Sequence, residues 1–493
     1  MGKSIAQYYR ELDDETRVKF WKTGGIINGQ EVPLADSFMH THTDLGSPKD
    51  SILTVDEYVQ IAAKMGARAV TITDHGTLYG AIPLYKACDA YNAKHEPEEH
   101  IKCIFGVEFY VVDSFSSAIR KKQTRLHLIA YAKDLEGYHV LCRLVTESNK
   151  HIVKVGANDY PCISRTELEQ YIGPGSIGHG HVILTSACIG GVVAGMMFAS
   201  ENEEKNLLKI THAIQAITTL KDNLTKQNEK LSHLTEQKQL ADTLSKKSYT
   251  KRINALKKNP DAAAQAELDK EMQETEAAKK FLPQLRNQIK AVNAVISDIN
   301  KQITNQCKQV EADTKLEMAE KQLALLAEAK QESEDNIIPA DQVEVEFKAA
   351  MQYYETLAGK GNWFIEMQFH GIAQEKKYMH VLAQLAHELD MPLVAANDAH
   401  MGTKEKCVAR KIVNALRWGN DKDNILPYEP PTEDEYELYL KTDAELFNWL
   451  CKEISEKDAL EAMNNRALIV DACNLELPKE KHYPKFIQEK DAS

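Results

Sequence analysis

Seven short apolar runs in this 493-residue chain each end on, or within a residue or two of, a side chain able to bind a metal. This recurrence constrains the fold more than any single motif. The runs are SFMHTH (37–42), AVTITDH (69–75), CIFGVEFY (103–110), LHLIAY (126–131), HVILTSAC (181–188), WFIEMQFH (363–370) and PLVAANDAH (392–400). Six of them carry His40, His42, His75, Glu108, His127, Cys188, Asp398 and His400. Strands that bring imidazole, carboxylate and thiolate to one end of a sheet or barrel predict a polynuclear metal site.

Helical patterns separate the runs, at 54–67, 78–94, 135–148, 343–357, 373–389 and 404–418. Strand alternating with helix predicts a parallel α/β architecture, and near-continuously apolar strands predict a sheet covered by helices. Seven units whose ligands converge favour a barrel over an open sheet. The rhythm breaks at 201–336, which is polar, poor in glycine and marked by apolar residues at steps of three and four: Leu282, Leu285, Ile289, Val292, Ile296, Ile299 and Ile303, with Leu207, Ile210, Ile214, Ile217, Leu224 and Leu231 upstream. Asn259 and Pro260 mark a helix break between the two seams. An antiparallel coiled-coil hairpin is therefore expected, whose first helix of roughly fifty residues would project on the order of 75 Å. Pro283 reads either as a second break or as a first-turn position. The expected organisation is a helical extension (1–34), a barrel in two parts (35–200 and 337–425) around the insertion (201–336), and a small C-terminal helical segment (426–493), proline-rich at Pro427, Pro430 and Pro431 and then helical over 443–474.

The net charge of −13 argues against coating nucleic acid by bulk charge, although a local basic cleft is compatible with it. Nine cysteines without CxxC pairs fit reduced thiols. No apolar leader or membrane-length apolar stretch occurs, so a cytoplasmic protein without membrane contact is expected.

Alternate residues of a strand share a face, so His40 and His42 can reach one metal, although a lone HxH reads equally as two ordinary histidines. Asp50 follows in a loop from which a carboxylate can turn back. Asp74 precedes His75 and reads either as a partner orienting that imidazole or as a helix N-cap. Glu108 lies in the apolar FGVEFY, where an unpaired carboxylate would cost several kcal/mol and a cation would remove that cost. His127 and Cys188 are likewise set in apolar strands, and a lone cysteine beside Ser186 and Ala187 is by itself ordinary core. Asp398 and His400 mirror the opening HxH. Imidazoles with carboxylates and one thiolate suit Zn²⁺, Mn²⁺ or Fe²⁺, and exceed the needs of one tetrahedral ion. Two or three such ions can clamp a phosphate and activate a water, which is phosphoester hydrolysis.

FMHTHTD, AVTITDHG, IFGVEFY, RLHLIAYAKDLEGYHVLCRLV, ILTSACIGG, WFIEMQFHG and PLVAANDAH, followed by ELYLKT and KHYPKF, together resemble the polymerase and histidinol phosphatase (PHP) superfamily, and most closely the PHP domain of bacterial C-family DNA polymerases. The resemblance covers about 35–200 and 337–485. It implies a distorted seven-stranded, TIM-like β/α barrel with a trinuclear site. By position, His40, His42, Glu108 and Asp398 resemble the ligands of the first metal. Asp50, His75 and His400 resemble those of the second, and a bridging Glu108 with His127 and Cys188 those of the third. The chain departs from the polymerases in its coiled-coil insertion and in having no acidic palm triad, so DNA synthesis is not expected.

The leading expectation is a metal-dependent phosphoesterase, and the resemblance points to a 3′–5′ exonuclease acting on DNA. A nucleotide or small phosphomonoester is the competing substrate. Arg125 and Arg143 read either as phosphate contacts or as surface cations. A scaffold with a structural metal cluster, whose coiled-coil arm recruits a protein partner, is the reading from another class. Self-packing explains the apolar seam more economically, and a solvated helix face explains the basic residues from Lys246 to Lys258. A fragment of a longer polymerase is a third reading.

Overall fold

The computed structural model describes residues 4–27, 29–112, 125–155, 158–335, 337–339, 341–418, 430–432 and 434–478. Pro427 and the KHYPKF motif lie outside the described residues. Two compact units emerge, Met1–Ala199 with Ile338–Ser493 and Ser200–Ile337.

The first unit holds a two-stranded ribbon, β1 (Ile26–Ile27) and β2 (Gln30–Glu31), and a larger mixed sheet. The sheet comprises β3 (Ser37–Phe38), β4 (Ala69–Ile72), β5 (Lys102–Val112), β6 (Leu126–Ala132), β7 (Ile152–Val155), β8 (Asn158–Ser164), β9 (Val182–Thr185), β10 (Trp363–Met367) and β11 (Leu393–Ala395). Its main path runs β11-β10-β9-β6-β5-β4-β3, and β7 and β8 form a hairpin paired to β5. Each of the seven apolar runs contains one strand of the main path. The sheet curls until its outer strands meet just beyond their ends. There Thr41 bridges Ala399 in parallel, His42 N donates to Ala399 O (2.9 Å), and Ala399 N donates to His40 O (3.1 Å).

The expectation of an all-parallel sheet needs correction, because β6 runs antiparallel to both β5 and β9. No helical pattern separates the CIFGVEFY and LHLIAY runs, and a connection without a crossover helix reverses the strand. That reversal suits the site. His127 stands near the start of β6, and only a reversed strand places its start beside the C-terminal ends of the others.

Period-two burial gives the sheet two apolar faces. Ala69, Ile104, Ile129, Tyr131, Ile183, Phe364 and Val394 pack together inside the curl, and Ile469 and Val470 of the helix Glu456–Ala472, with Cys473 just after it, join them. The alternate residues, among them Val70, Phe105, Leu128, Leu184, Ile365 and Leu393, pack outward in the main core with helices such as Val55–Lys64, Leu135–Lys150 and Val343–Ala358. The N-terminal helices are tied to the C-terminal ones through Tyr9, whose hydroxyl donates to Asp443 (2.6 Å), and through Trp21 packed on Phe447. The helical stretch expected over 443–474 is broken into Asp443–Leu450 and Glu456–Ala472. A capping box of Thr442 and Glu445 starts the first, and Ser455 caps the second.

The second unit is helical: Ala194–Ser245 enters it, followed by Thr250–Lys258, Ala262–Gln306 and Lys315–Asp335. Ile217 and Leu224 cluster with Ile299 and Ile303, and Leu234 and Ala241 with Leu282, Leu285 and Val292, so positions early in one long helix meet positions late in the other. Three details differ from expectation. The first helix already ends at Ser245, so the break at Asn259 and Pro260 separates the short Thr250–Lys258 from Ala262–Gln306, which Asp261 caps. Pro283 lies inside that helix, where the buried Leu282 and Leu285 flank the backbone position whose N–H proline lacks. The helix Lys315–Asp335 adds Met318 and Ala319 to the first cluster.

Candidate metal centre

Glu108 is the hub. It is 1% exposed and sits in β5 between four imidazoles: Oε2 is 2.8 Å from His40 Nε2 and 3.1 Å from His42 Nε2, while Oε1 is 2.5 Å from His127 Nδ1 and 3.4 Å from His75 Nδ1. Asp398 faces the first pair from the other side, with Oδ1 3.4 Å from His40 Nε2, 3.2 Å from His42 Nε2 and 3.6 Å from His400 Nδ1. Asp50 Oδ2 joins His75 Nε2 (3.0 Å) to His400 Nε2 (3.7 Å). Cys188 Sγ lies 3.7 Å from His127 Nδ1. All nine sequence-identified positions thus meet at one rim. Donor atoms of His40, His42, Glu108 and Asp398 lie within 4.8 Å of one another, as do those of His42, His75 and His400.

The local backbone is bent to achieve this. His40 (φ 54°), Ala187 (φ 59°) and Asp398 (φ 48°) adopt left-handed conformations, each at or beside a candidate ligand just past a strand end. Such positions cost about 1–3 kcal/mol each and persist where the surroundings over-determine them.

The charges are strongly coupled. Burial opposes protonation of His40, but Asp398 and Glu366 outweigh it and hold its pKa well above the ordinary imidazole value. Burial likewise opposes ionisation of Glu108 and Asp398, yet the facing histidines hold both well below the usual carboxylate range. Burial and the neighbouring His42 push His400 down to about 4. Burial, then Asp398 and Glu108, push the Cys188 thiol well up.

The decisive observation is what remains unsatisfied. Among the described residues, His42 Nε2, Asp50 Oδ1, His75 Nδ1, Glu108 Oε1, His370 Nε2 and Asp398 Oδ1 are buried and find no partner in hydrogen-bonding geometry, although ionisable neighbours lie within 4 Å of most of them. Buried polar atoms of this kind are costly, and the nitrogens and oxygens of His40, His42, Glu108 and Asp398, gathered within 4.8 Å of one another, are what a cation can satisfy. Donor chemistry and orphaned atoms together fit divalent metal ions.

Several residues around the centre were not identified from the sequence. Glu366 in β10 points inward, with Oε1 2.7 Å from His40 Nδ1, and accepts from Thr185 Oγ1 (2.6 Å); Gln368 Nε2 lies 2.9 Å from the same His40 nitrogen. Glu375 is fully buried and holds His370, with Oε1 2.5 Å from Nδ1 and Oε2 accepting from the backbone N (2.8 Å). The signal for Glu366 was present: an acidic residue inside WFIEM, an otherwise apolar strand, as for Glu108. Asp74 takes neither expected role. It accepts from Thr43 N (2.6 Å), Thr43 Oγ1 (2.9 Å) and Ser47 Oγ (3.1 Å), pinning the loop after the HxH, and Ser47 Oγ lies 3.3 Å from His42 Nδ1. Arg125 stacks on Tyr160 (4.2 Å), and Arg143 is exposed on its helix.

Residues 39–228 match the family model of the PHP domain. PHP domains form a metal-dependent phosphoesterase family that binds divalent metals. The chain is similar to DNA polymerase III subunit alpha of Chlamydia muridarum, at 34% identity over 174 residues, covering 34% of this chain and 12% of that protein. It is also similar to the alpha subunits of Borreliella burgdorferi (34% over 171 residues) and Aquifex aeolicus (35% over 176 residues), covering 34% of this chain and 13% of each relative. The similarity therefore spans about an eighth of these relatives. Asp398 and His400 lie outside the segment matched by the family model, and folding brings them to the rim.

Proposed function

We propose that this PHP-domain chain is a working metal-dependent phosphoesterase whose rim holds two or three divalent cations, Zn²⁺, Mn²⁺ or Fe²⁺. The observation that carries the reading is the buried donor set around Glu108, in and beside which six atoms lack hydrogen-bond partners among the described residues. His40, His42, Glu108 and Asp398 would hold one ion, Asp50, His75 and His400 a second, and Glu108, His127 and Cys188 a third. Glu108 suits a bridging role because each of its oxygens faces a different pair of imidazoles. Bound cations would supply Lewis acidity and an activated water for attack on phosphorus. The sheet is read as a distorted seven-stranded barrel, supported by the pairing of Thr41 with Ala399 that joins its outer strands.

The chain's own residues set orientation and access. Glu366 and Gln368 fix the His40 ring, and Ser47 approaches His42 Nδ1 so that Nε2 faces the centre. His40 and His42 are fully buried, whereas the side chains of Asp50, His75 and His127 are 26%, 17% and 27% exposed. A phosphate therefore arrives from the Asp50, His75 and His127 side, while the deep side excludes water.

The substrate is read as nucleic acid, cleaved as by a 3′–5′ exonuclease acting on DNA. The name of the similar proteins, DNA polymerase III subunit alpha, places them in replication and supports this reading. The net charge of −13 favours the runner-up, a nucleotide or other small phosphate ester. A cytoplasmic setting agrees with the finding that, among the described residues, no helix is long and apolar enough to cross a membrane. For the helical unit, burial of Leu285 and Ile303 within it supports self-packing of the seam over recruitment of a protein partner through that face. The test is turnover of labelled single-stranded DNA, RNA and phosphomonoesters by metal-loaded protein. Hydrolysis lost in His42→Ala supports the reading, and no hydrolysis with two or three bound ions overturns it.

A further inference from the structure

A cavity of 190 Å³ opens beside the accessible edge of the metal centre, and two of its walls are the candidate ligands Asp50 and His75. Four of the remaining eight walls are rings, Tyr110, Tyr160, Pro48 and Pro161, and Lys49 and Asp159 add one charge of each sign. Tyr110 lies nearly parallel to His75, with centroids 5.8 Å apart and planes 22° apart, and Tyr160 meets Tyr110 edge-on at 5.1 Å and 86°. The Arg125 guanidinium stacks on Tyr160, which holds that ring in place. The wall is fitted closely. Gly76, in a left-handed conformation (φ 63°), follows His75, and a Cβ there would lie 2.5 Å from Pro161 Cγ. Only glycine lets the hairpin of β7 and β8 approach the turn that carries His75.

Size and chemistry define the occupant. A cavity of about 150 Å³ accepts benzene, whereas drug-sized ligands need about 300 Å³ or more, so 190 Å³ suits one planar ring with its substituents. A ring placed here sits next to the ligands that would face a phosphate. Resting on the phosphoesterase reading, we propose that this cavity is a nucleobase subsite, receiving the base of the nucleotide whose phosphate is cleaved. Stacking on the Tyr160 ring, on the side away from Arg125, would accept any base, since each has a π face, and the volume favours a pyrimidine.

The test pairs substrates with and without the base. Calorimetry on metal-loaded protein compares dTMP with deoxyribose 5-phosphate, and thymidine-ended with abasic-ended single-stranded oligonucleotides; turnover is followed on the same four. The first pair reports a free nucleotide and the second a strand end. Tighter binding of the base-bearing member in at least one pair is expected, with the preference falling about 5- to 150-fold in Tyr160→Leu and retained in Tyr160→Phe. Leucine keeps apolar volume for the hairpin while removing the ring. Equal binding within both pairs, no binding of any of the four, or an unchanged preference in Tyr160→Leu overturns the subsite. Binding with the base preference but without hydrolysis of any of the four overturns the phosphoesterase reading and leaves the subsite standing. Hydrolysis without a base preference does the reverse.

Discussion

The first unit buries two clusters of charge, and they are built on opposite principles. At the N-terminal ends of the strands, Asp443 and Arg466 are both nearly inaccessible and are paired with each other and with neighbouring protein groups. Arg466 Nη1 donates to Asp443 Oδ1 (2.7 Å) and Ser37 O (3.0 Å), its Nε donates to Met463 O (2.9 Å), and Asp443 Oδ2 accepts from Tyr9 Oη and Asp36 N. At the ligand rim, Glu108, His40 and His42 are as deeply placed, yet among the described residues six atoms in and around the rim are left without hydrogen-bond partners. A buried charge matched by an opposite charge and by neighbouring donors and acceptors ties helices to a sheet. A buried set of ligand-type atoms without partners is one that a cation would complete.

Replacing one member of each cluster tests this contrast most directly. Asp398→Ala is expected to lower phosphoester hydrolysis by about 10³-fold or more, because cation-based charge stabilisation contributes several kcal/mol. The change is measured as kcat/KM at saturating metal, with circular dichroism confirming the fold. Arg466→Met should act in the opposite sense, costing about 3–5 kcal/mol of unfolding free energy by stranding Asp443, with bound metal per folded molecule unchanged. Denaturant titration and metal analysis of the soluble fraction check it. If Asp398→Ala left hydrolysis intact, or Arg466→Met emptied the metal site, the division between the clusters would fail. A finer probe lies between the two: Glu366→Gln keeps the shape around His40 but removes the charge that orients its ring. Metal affinity is expected to drop about 10- to 100-fold, read as a shifted metal titration, with hydrolysis recovering as metal is raised.

The two clusters also differ in how far they could be read from the chain alone. Ligand-type residues at the ends of apolar runs are local signals, so the positions that the fold gathers at the rim could be named before the fold was known. Glu366 carries the same local signal as Glu108, an acid inside an apolar strand, and only folding shows that it turns in to His40. The reversal of β6 was encoded only as a missing helix between two runs. Asp443 and Arg466 gave no pattern, since their partners Tyr9, Asp36 and Ser37 lie more than four hundred residues away, and only tertiary packing defines that pairing. Asp74 shows the limit from the other side: a local reading offered a cap or a partner for His75, while folding used the carboxylate to pin Thr43 and Ser47.

The smallest expected effect concerns Lys441, which is 1% exposed and close to neither extreme. Its Nζ donates to Glu437 O and lies 3.8 Å from Glu437 Oε2. Burial lowers its pKa to about 8, with Glu437, Glu445 and Glu375 opposing the shift incompletely. Unfolded lysine titrates near 10.4, so between about pH 8 and 10.4 the unfolded chain binds the additional proton and stability rises with pH; below about pH 8 both states are protonated and the contribution is lost. Lys441→Met should remove this slope, so that its stability relative to the parent declines from pH 8 to pH 10 as measured by urea midpoints. Parallel curves for the two proteins would mean that this lysine is as well matched as Arg466, and would move it to the completed side of the comparison.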